Sequence, residues 1–323
     1  MKTLFKKNQR YEAKDLKTFT HLIPYTLCLL PLFSFSQETQ KDTVKSIEEV
    51  LITSVRAKDK NPIPFTNVKK EAIAPRNLGQ DIPILLNYLP SVVTTTDAGV
   101  GIGYTYMRVR GSDGSRINVT LNGIPFNDSE SHGTFFVNLP DFASSLESMQ
   151  LQRGVGTSTS GAGAFGASLN LQTKLLQPKA YAEISNSIGS FGTRKHTLNF
   201  GTGLHNNFEM NARVSNISSN GFIDRASSNL FGYFFNVNYS TEKTLIKAIA
   251  FGGKEKTYQA WYGIEDEEKL KNDRTFNPAG MYFDTNGNMQ FYDNETDNYW
   301  QNHFQLHWNQ KYNSNWQSNI ALH

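Results

Sequence analysis

Thiol chemistry is almost absent from this chain: its 323 residues include one cysteine, Cys28. That cysteine lies in an apolar run, Leu22–Phe35, behind a basic stretch of Lys2, Lys6, Lys7, Arg10, Lys14 and Lys17. Ser34-Phe-Ser36 follows as a small-x-small cleavage signal, so residues 1–36 are expected to be a secretory signal peptide. Leu27 precedes Cys28 where a lipid-modified cysteine needs a small residue, so the thiol is expected to leave with the signal. Disulfide scaffolds, thiolate zinc sites and cysteine nucleophiles are then excluded together. Charge of one sign is also missing. The net charge of +3 falls to −1 after residue 36, with 26 basic and 27 acidic residues, which leaves no basic footprint for nucleic acid. No apolar run approaches the roughly 20 residues of a membrane-spanning helix, and mean hydropathy is −0.48. A membrane β-barrel survives this test, because half of each barrel strand faces inward and can be polar. Catalytic signatures are lacking too: there is no G-x-S-x-G elbow, H-E-x-x-H pair or P-loop. No enzyme, cofactor or protein-bound metal is expected.

What is present is strand and turn. Gln37–Lys70 is polar, carries Pro62 and Pro64, and holds one strand-like run, Val50–Val55; it is expected as an extended, mobile lead-in. Glu71–Lys174 is expected as the first folded unit. A short helix over Asp81–Leu89 fits Pro83 in its first turn and Pro90 as its stop. Strand runs follow at Ser91–Thr96, Tyr104–Arg110, Ile117–Leu121, Met149–Gln152 and Ala167–Thr173, separated by Gly, Asn, Asp and Ser. Gly161–Gly166 spells G-x-G-x-x-G, but Ser168–Gln172 then alternates as a strand. The helix that a dinucleotide site requires is absent, so the glycines are read as tight turns.

From Lys179 the texture changes. Phe208, Met210, Ala212 and Val214 alternate with Glu209, Asn211, Arg213 and Ser215; Phe304, Leu306 and Trp308 alternate with His303, Gln305, His307 and Asn309. Period 2 over such lengths predicts strands with one apolar and one polar face. His303 and His307 share the polar face without being adjacent, which reads as lumen lining. The even-numbered links, at His205–Asn207, Thr241–Lys243 and Asn313–Asn315, are about three residues long; the third and fifth, Ile217–Asn229 and Gly263–Asp297, are far longer. Outer-membrane barrels alternate short periplasmic turns with long external loops in this way. Tyr258, Trp261, Tyr262 and Trp300 are expected near strand ends as an interfacial girdle. The fold class expected is mainly β with short helices: a globular plug domain followed by an incomplete antiparallel transmembrane β-barrel over 179–323. Seven strands leave an open edge whose unpaired backbone is costly in lipid, so a longer gene product is expected.

Several runs in order resemble one family. Glu48-Glu-Val-Leu-Ile-Thr53, Arg108–Gly111 with Arg116, Val119-Thr-Leu-Asn-Gly-Ile-Pro125 and Gly161–Thr173 are similar to the coupling box, Arg-Gly region, Asn/Asp-Gly turn and last plug strand of TonB-dependent outer-membrane receptors. The resemblance implies an outer-membrane importer whose plug is opened by a periplasmic TonB-type partner. It implies TonB coupling through Glu49, Val50, Leu51, Ile52 and Thr53, which can add to a partner's sheet edge as a strand; an ordinary first plug strand is the alternative. Structural or gating roles are implied for Arg110, Gly111, Arg116, Gly123, Arg153, Gly154, Gly161, Gly163 and Gly166. Where the family often has Glu and Asp, this chain has Gln150 and Asn122, which puts an ionic latch through Arg110, Arg116 or Arg153 in question. Ligand contact is expected from Tyr104 and Tyr106 on one plug loop, from Asp128, Glu130 and His132 on another, and from the long loop 263–297. Glycan importers of the family usually carry an additional immunoglobulin-like domain before the plug, so with some 30 residues between signal and plug the resemblance implies a ferric siderophore or similar iron chelate as cargo. Cobalamin, haem, or a non-transporting adhesion barrel are the alternatives.

Overall fold

A computed structural model describes residues 54–156 and 165–323, all within one compact unit, Val44–His323. The expected signal peptide, the coupling residues Glu49–Thr53, and Gly161 and Gly163 lie outside the described residues. Two larger sheets organise the rest. The first has five strands in the order β1-β6-β7-β4-β5: β1 (Phe65–Lys69), β4 (Ile117–Leu121), β5 (Ile124–Pro125), β6 (Leu146–Arg153) and β7 (Ala167–Thr173). β4 and β7 run parallel, and the other pairings are antiparallel. A separate pair, β2 (Val92–Thr96) with β3 (Thr105–Val109), stands beside this sheet. The expected helix is a single turn, Ile82–Leu85, with Pro83 near its start. Beyond it, Leu86, Asn87 and Leu89 donate to carbonyls three residues back, so the chain tightens before Pro90 ends it.

The second sheet has seven antiparallel strands in sequence order: β8 (Tyr181–Ile188), β9 (Arg194–Gly201), β10 (Phe208–Ser219), β11 (Ser228–Ser240), β12 (Thr244–Tyr258), β15 (Thr296–Lys311) and β16 (Gln317–Leu322). β13 (Met281–Phe283) and β14 (Met289–Phe291) form a hairpin within the link from β12 to β15. The sheet is open, with β8 and β16 at its edges. Links on one side span 202–207, 241–243 and 312–316; on the other they span 189–193, 220–227 and 259–295. The third link is shorter than expected because β10 and β11 run on to Ser219 and Ser228. The first is no longer than the short turns. The contrast therefore rests mainly on the last loop.

Which way the faces point is decisive. On β10, Phe208, Met210 and Val214 are 56, 37 and 44 % exposed, while Glu209, Asn211 and Arg213 are each 1 % exposed. On β15, Phe304, Leu306 and Trp308 face out, whereas Gln305, His307 and Asn309 are buried. A water-soluble sandwich would bury the opposite face. This wall turns its apolar side outward and its polar side toward the plug.

The covered face is not uniformly polar. Phe234, Ile249 and Phe251 belong to the same hydrophobic cluster as Leu121, Leu146, Met149, Leu151 and Leu169 of the plug. Phe142 of the plug meets Phe251 at 5.2 Å and Phe234 at 6.0 Å between ring centroids. Each such side chain contributes about 1.5–3 kcal/mol on burial, so plug and wall share one core. Two expectations need correction. Tyr258 is buried rather than placed in an outer girdle, because its hydroxyl donates to the carbonyls of Tyr292 and Ala279. From Val55 onward the expected mobile lead-in is docked: Val55 and Ala57 are buried, and Phe65–Lys69 forms an edge strand on β6.

Candidate functional site

The interface between plug and wall is the candidate site, and Asp141 lies at its centre. Its backbone is left-handed (φ 51°), which turns the chain after Pro140 and directs the carboxylate at the wall. Asp141 Oδ1 lies 2.7 Å from Lys195 Nζ of β9, and Oδ2 lies 3.6 Å from Arg213 Nη1 of β10. Thr197 donates to Oδ2 at 2.6 Å, while Ser144 and Asn77 donate to Oδ1 at 2.6 and 3.1 Å. Arg213 also donates to the Pro140 carbonyl at 2.9 Å, and Lys195 to that of Asn77 at 3.0 Å. Burial alone would push the Asp141 carboxyl up, but Arg213 and Lys195 beside it hold it below the usual carboxylate range.

Pro140 fits this lock sterically. A methyl on Gly232 would come within 2.5 Å of the Pro140 carbonyl oxygen, and one on Gly253 within 2.4 Å of its ring. Gly232 and Gly253 are cross-strand partners on β11 and β12. They leave a notch into which the plug backbone seats, since any side chain there would fill the space.

A second contact sits toward the long-loop side. The Tyr104 hydroxyl donates to Asp297 Oδ2 at 2.5 Å, joining the plug loop after β2 to the start of β15. Burial, with Asp297 next, raises the Tyr104 phenol above its ordinary range, so it stays a donor. Ala98 on the same plug loop accepts from Phe222 N–H at 2.8 Å. A third contact uses Asn122, which is fully buried. It donates to Gln305 of β15 at 3.2 Å and accepts from Thr173 N–H at 3.0 Å. A carboxylate in that place could accept but not donate.

The arm entering the plug is held by amides. Gln150 accepts from Ala57 N–H at 2.8 Å and donates to the Ala57 carbonyl at 3.0 Å. Gln152 donates to the Val55 carbonyl at 2.9 Å, and Arg56 to Ser148 Oγ at 2.9 Å. Gln150 thus grips both polar groups of one residue, which a glutamate could not do. These four residues fix the chain two residues beyond Thr53.

The remaining expected residues fall into three groups. Arg110 and Gly111, like Asn122 and Gly123, have consecutive positive φ (51° and 81°, 54° and 83°), the turn that tight hairpins need. Gly154 has φ 94°, and a methyl on Gly166 would come within 2.7 Å of the Arg116 carbonyl. Arg116 pairs with Asp113 on the plug surface, and the Arg153 N–H donates to Pro64 at 2.9 Å. Among the described residues, no ion pair carries Arg110, Arg116 or Arg153 to the wall; the polarity is reversed, with the carboxylate on the plug and the cations on the wall. Tyr106 is exposed and bonds Asp97 at 3.1 Å. Asp128 caps its own turn, accepting from Glu130 and Ser131 N–H, with Glu130 and His132 exposed. Among the described residues, no hydrogen bond or ion pair joins the two candidate loops, whereas Tyr104 is committed to the wall. Sequence reading missed Asp141, Lys195 and Arg213. The available signal was a lysine and an arginine on the polar face of neighbouring strands.

A folded domain bonded to the polar face of an apolar-out antiparallel wall is the arrangement of a plugged β-barrel. Residues 57–168 match the family model "TonB-dependent Receptor Plug Domain". Residues 57–168 are thus similar to the plug domain of TonB-dependent receptors, and the seven-stranded sheet that follows has the fold of part of a barrel wall. Solved structures agree on the fold. FpvA of Pseudomonas aeruginosa, bound to heterologous pyoverdines, is 15 % identical with a TM-score of 0.62, over 81 % of this chain and 33 % of that one. The siderophore receptor PirA from Acinetobacter baumannii is 14 % identical with a TM-score of 0.58, over 80 % and 39 %. The ferric-catecholate import receptor Fiu from E. coli K12 is 15 % identical with a TM-score of 0.57, over 79 % and 37 %. The chain thus spans about a third to two fifths of the structures it matches. No curated protein matches it.

Proposed function

We propose that this chain is the plug and first wall strands of an energised outer-membrane importer for a ferric siderophore or similar iron chelate. It is reached through a cleaved signal and driven by a TonB-type periplasmic partner. The observation that carries the reading is the pair of opposite attachments. The plug is bonded to the wall by Asp141 and Tyr104, while its entry arm is held within the plug by Gln150, Gln152, Arg56 and the pairing of β1 with β6. Force applied at Glu49–Thr53 reaches that arm before it reaches the core. In this reading the long-loop side is external, and Tyr106, Asp128, Glu130, His132 and the 259–295 loop are the ligand-facing candidates. Structural neighbours that include a pyoverdine complex and a ferric-catecholate import receptor favour an iron chelate over cobalamin or haem. The test is deletion of Glu48–Thr53 in the full-length gene, with uptake and binding of 55Fe-loaded pyoverdine, catecholate and hydroxamate chelates. Binding retained with uptake lost supports the importer. Uptake unchanged by the deletion, or no chelate bound by the intact receptor, rejects it in favour of an adhesion barrel or another cargo.

A further inference from the structure

The turn 220–227, between β10 and β11, touches the plug at one end and the long loop at the other. At the plug end, Phe222 N–H donates to the Ala98 carbonyl at 2.8 Å and Ile223 N–H reaches the same oxygen at 3.4 Å. A methyl on Gly99 would lie 3.0 Å from Phe222 Cβ, so the plug loop is pressed against this residue. Phe191 meets the Phe222 ring edge-on at 5.6 Å. At the loop end, Asp224 N–H donates to Thr275 at 2.8 Å, and Asn277 Nδ2 donates to the Asp224 carbonyl at 3.0 Å.

Arg225 dominates the second contact. Its guanidinium lies 3.5 Å from the ring centroid of Phe291 on the β13–β14 hairpin and donates to the Asn277 carbonyl. Tyr258 secures the base of the same hairpin, donating to the Tyr292 carbonyl at 2.6 Å. Arg225 has φ 61°, a strained conformation for a non-glycine residue unless its surroundings impose it. Here the turn imposes it: Ala226 N–H donates to Ile223 at 3.1 Å, and Ser227 N–H to Arg225 at 2.6 Å. Gly221, with φ 77°, packs so closely that a methyl would lie 2.3 Å from the Ala226 carbonyl. The turn is closed on itself between its two contacts.

We propose that Arg225 is a positioning residue that ties the surface hairpin 281–291 to the plug loop 97–104 through the turn 220–227. A hairpin displaced by a bound molecule pulls on the guanidinium, and the turn carries that displacement to Ala98. The planar guanidinium is needed because it stacks on Phe291 and donates sideways to Asn277 at once; a lysine keeps only the charge. The purpose of the tie rests on the receptor reading, but its existence does not.

The test is amide hydrogen exchange on the full-length receptor without ligand. Phe291→Ala alters a residue whose ring meets Arg225 and Phe276. It is expected to speed exchange at the Phe222 and Asp97 amides by about three- to tenfold, the weight of one cation–π contact. Arg225→Ala should do the same, the double variant no more than either single, and Arg225→Lys only part of it. Phe291→Leu, which keeps the apolar bulk and removes the ring face, gives the same readout if Arg225→Ala does not assemble. The proposal is overturned if Phe291 variants leave the plug loop unchanged or if the two substitutions add. It is also overturned if Val119 and Leu169 amides in the plug sheet accelerate equally, because that would be general loosening. Because no ligand is used, the tie can fail while the importer stands, and the reverse.

Discussion

The plug strand β7 and the wall strand β10 have nearly the same sequence texture and opposite surroundings. In β7, Leu169 and Leu171 alternate with Ser168 and Asn170, and all four are buried. In β10, Phe208 and Met210 alternate with Glu209 and Asn211, and only the polar pair is buried. Period 2 therefore specifies a strand and its two faces, without saying what covers either. The polar face of β7 is covered by protein that bonds part of it: Thr120 donates to Asn170 Oδ1 at 2.7 Å. Among the described residues, none covers Phe208, Met210 and Val214 on the apolar face of β10, which suits a hydrocarbon surround. Buried polar atoms need partners in both places; exposed apolar rows are stable only where water is absent.

The largest expected effect comes from breaking the joint between the regions. Asp141→Ala leaves Lys195 and Arg213 buried against the plug without their carboxylate. Losing one partner of a buried ionic cluster costs about 3–5 kcal/mol. Urea unfolding of the plug within the intact receptor measures it, and a loss below about 1 kcal/mol would show that the lock is ornamental. The pH dependence has a definite sign. The folded Asp141 carboxyl is held below its unfolded value, so its contribution is present above about pH 4 and fades as pH falls through the lower folded value. Asp141→Asn should remove that acid-side slope.

Next comes the contrast between faces. Val214→Arg, on the exposed side of β10, is expected to cost about 2–4 kcal/mol in a bilayer if that position lies near the midplane. An ordinary water-facing surface tolerates such a change within about 0.5 kcal/mol. Refolding into lipid vesicles separates the two, and an unaffected Val214→Arg receptor would argue against a lipid-facing wall.

The smallest effect concerns the arm. Gln150→Glu keeps an acceptor for Ala57 N–H but loses donation to the Ala57 carbonyl and to Asn67 Oδ1. A loss of about 1–3 kcal/mol in local stability follows from stranding those acceptors. Faster exchange at Ala57 with unchanged exchange in β4 and β7 is the expected pattern; identical rates at Ala57 would mean that the arm is held elsewhere.

Much of this was legible beforehand. The strands at Ile117–Leu121 and Ala167–Thr173 fall where β-branched or alternating residues end at turn-forming ones, and the Asn122-Gly123 turn needs φ values that asparagine and glycine tolerate. Phe65–Lys69 was harder, because five residues after two prolines give no clear period, and their strand exists only by pairing with β6. Ligand-facing tyrosines were expected on one plug loop, but whether a phenol is free depends on what stands opposite. For Tyr104 that is Asp297, 193 residues away.

The sequence by itself determined the run of strands, their two-faced character and the turn positions, because these follow from local backbone sterics and side-chain alternation. Tertiary structure alone decided that Asp141 meets Lys195 and Arg213, that Gly232 and Gly253 form a seat for Pro140, and that Arg225 bridges hairpin and plug. Each of those depends on bringing together groups far apart in the chain, and the pairing energy of a charge or a close contact carries no signature in the local sequence that supplies it.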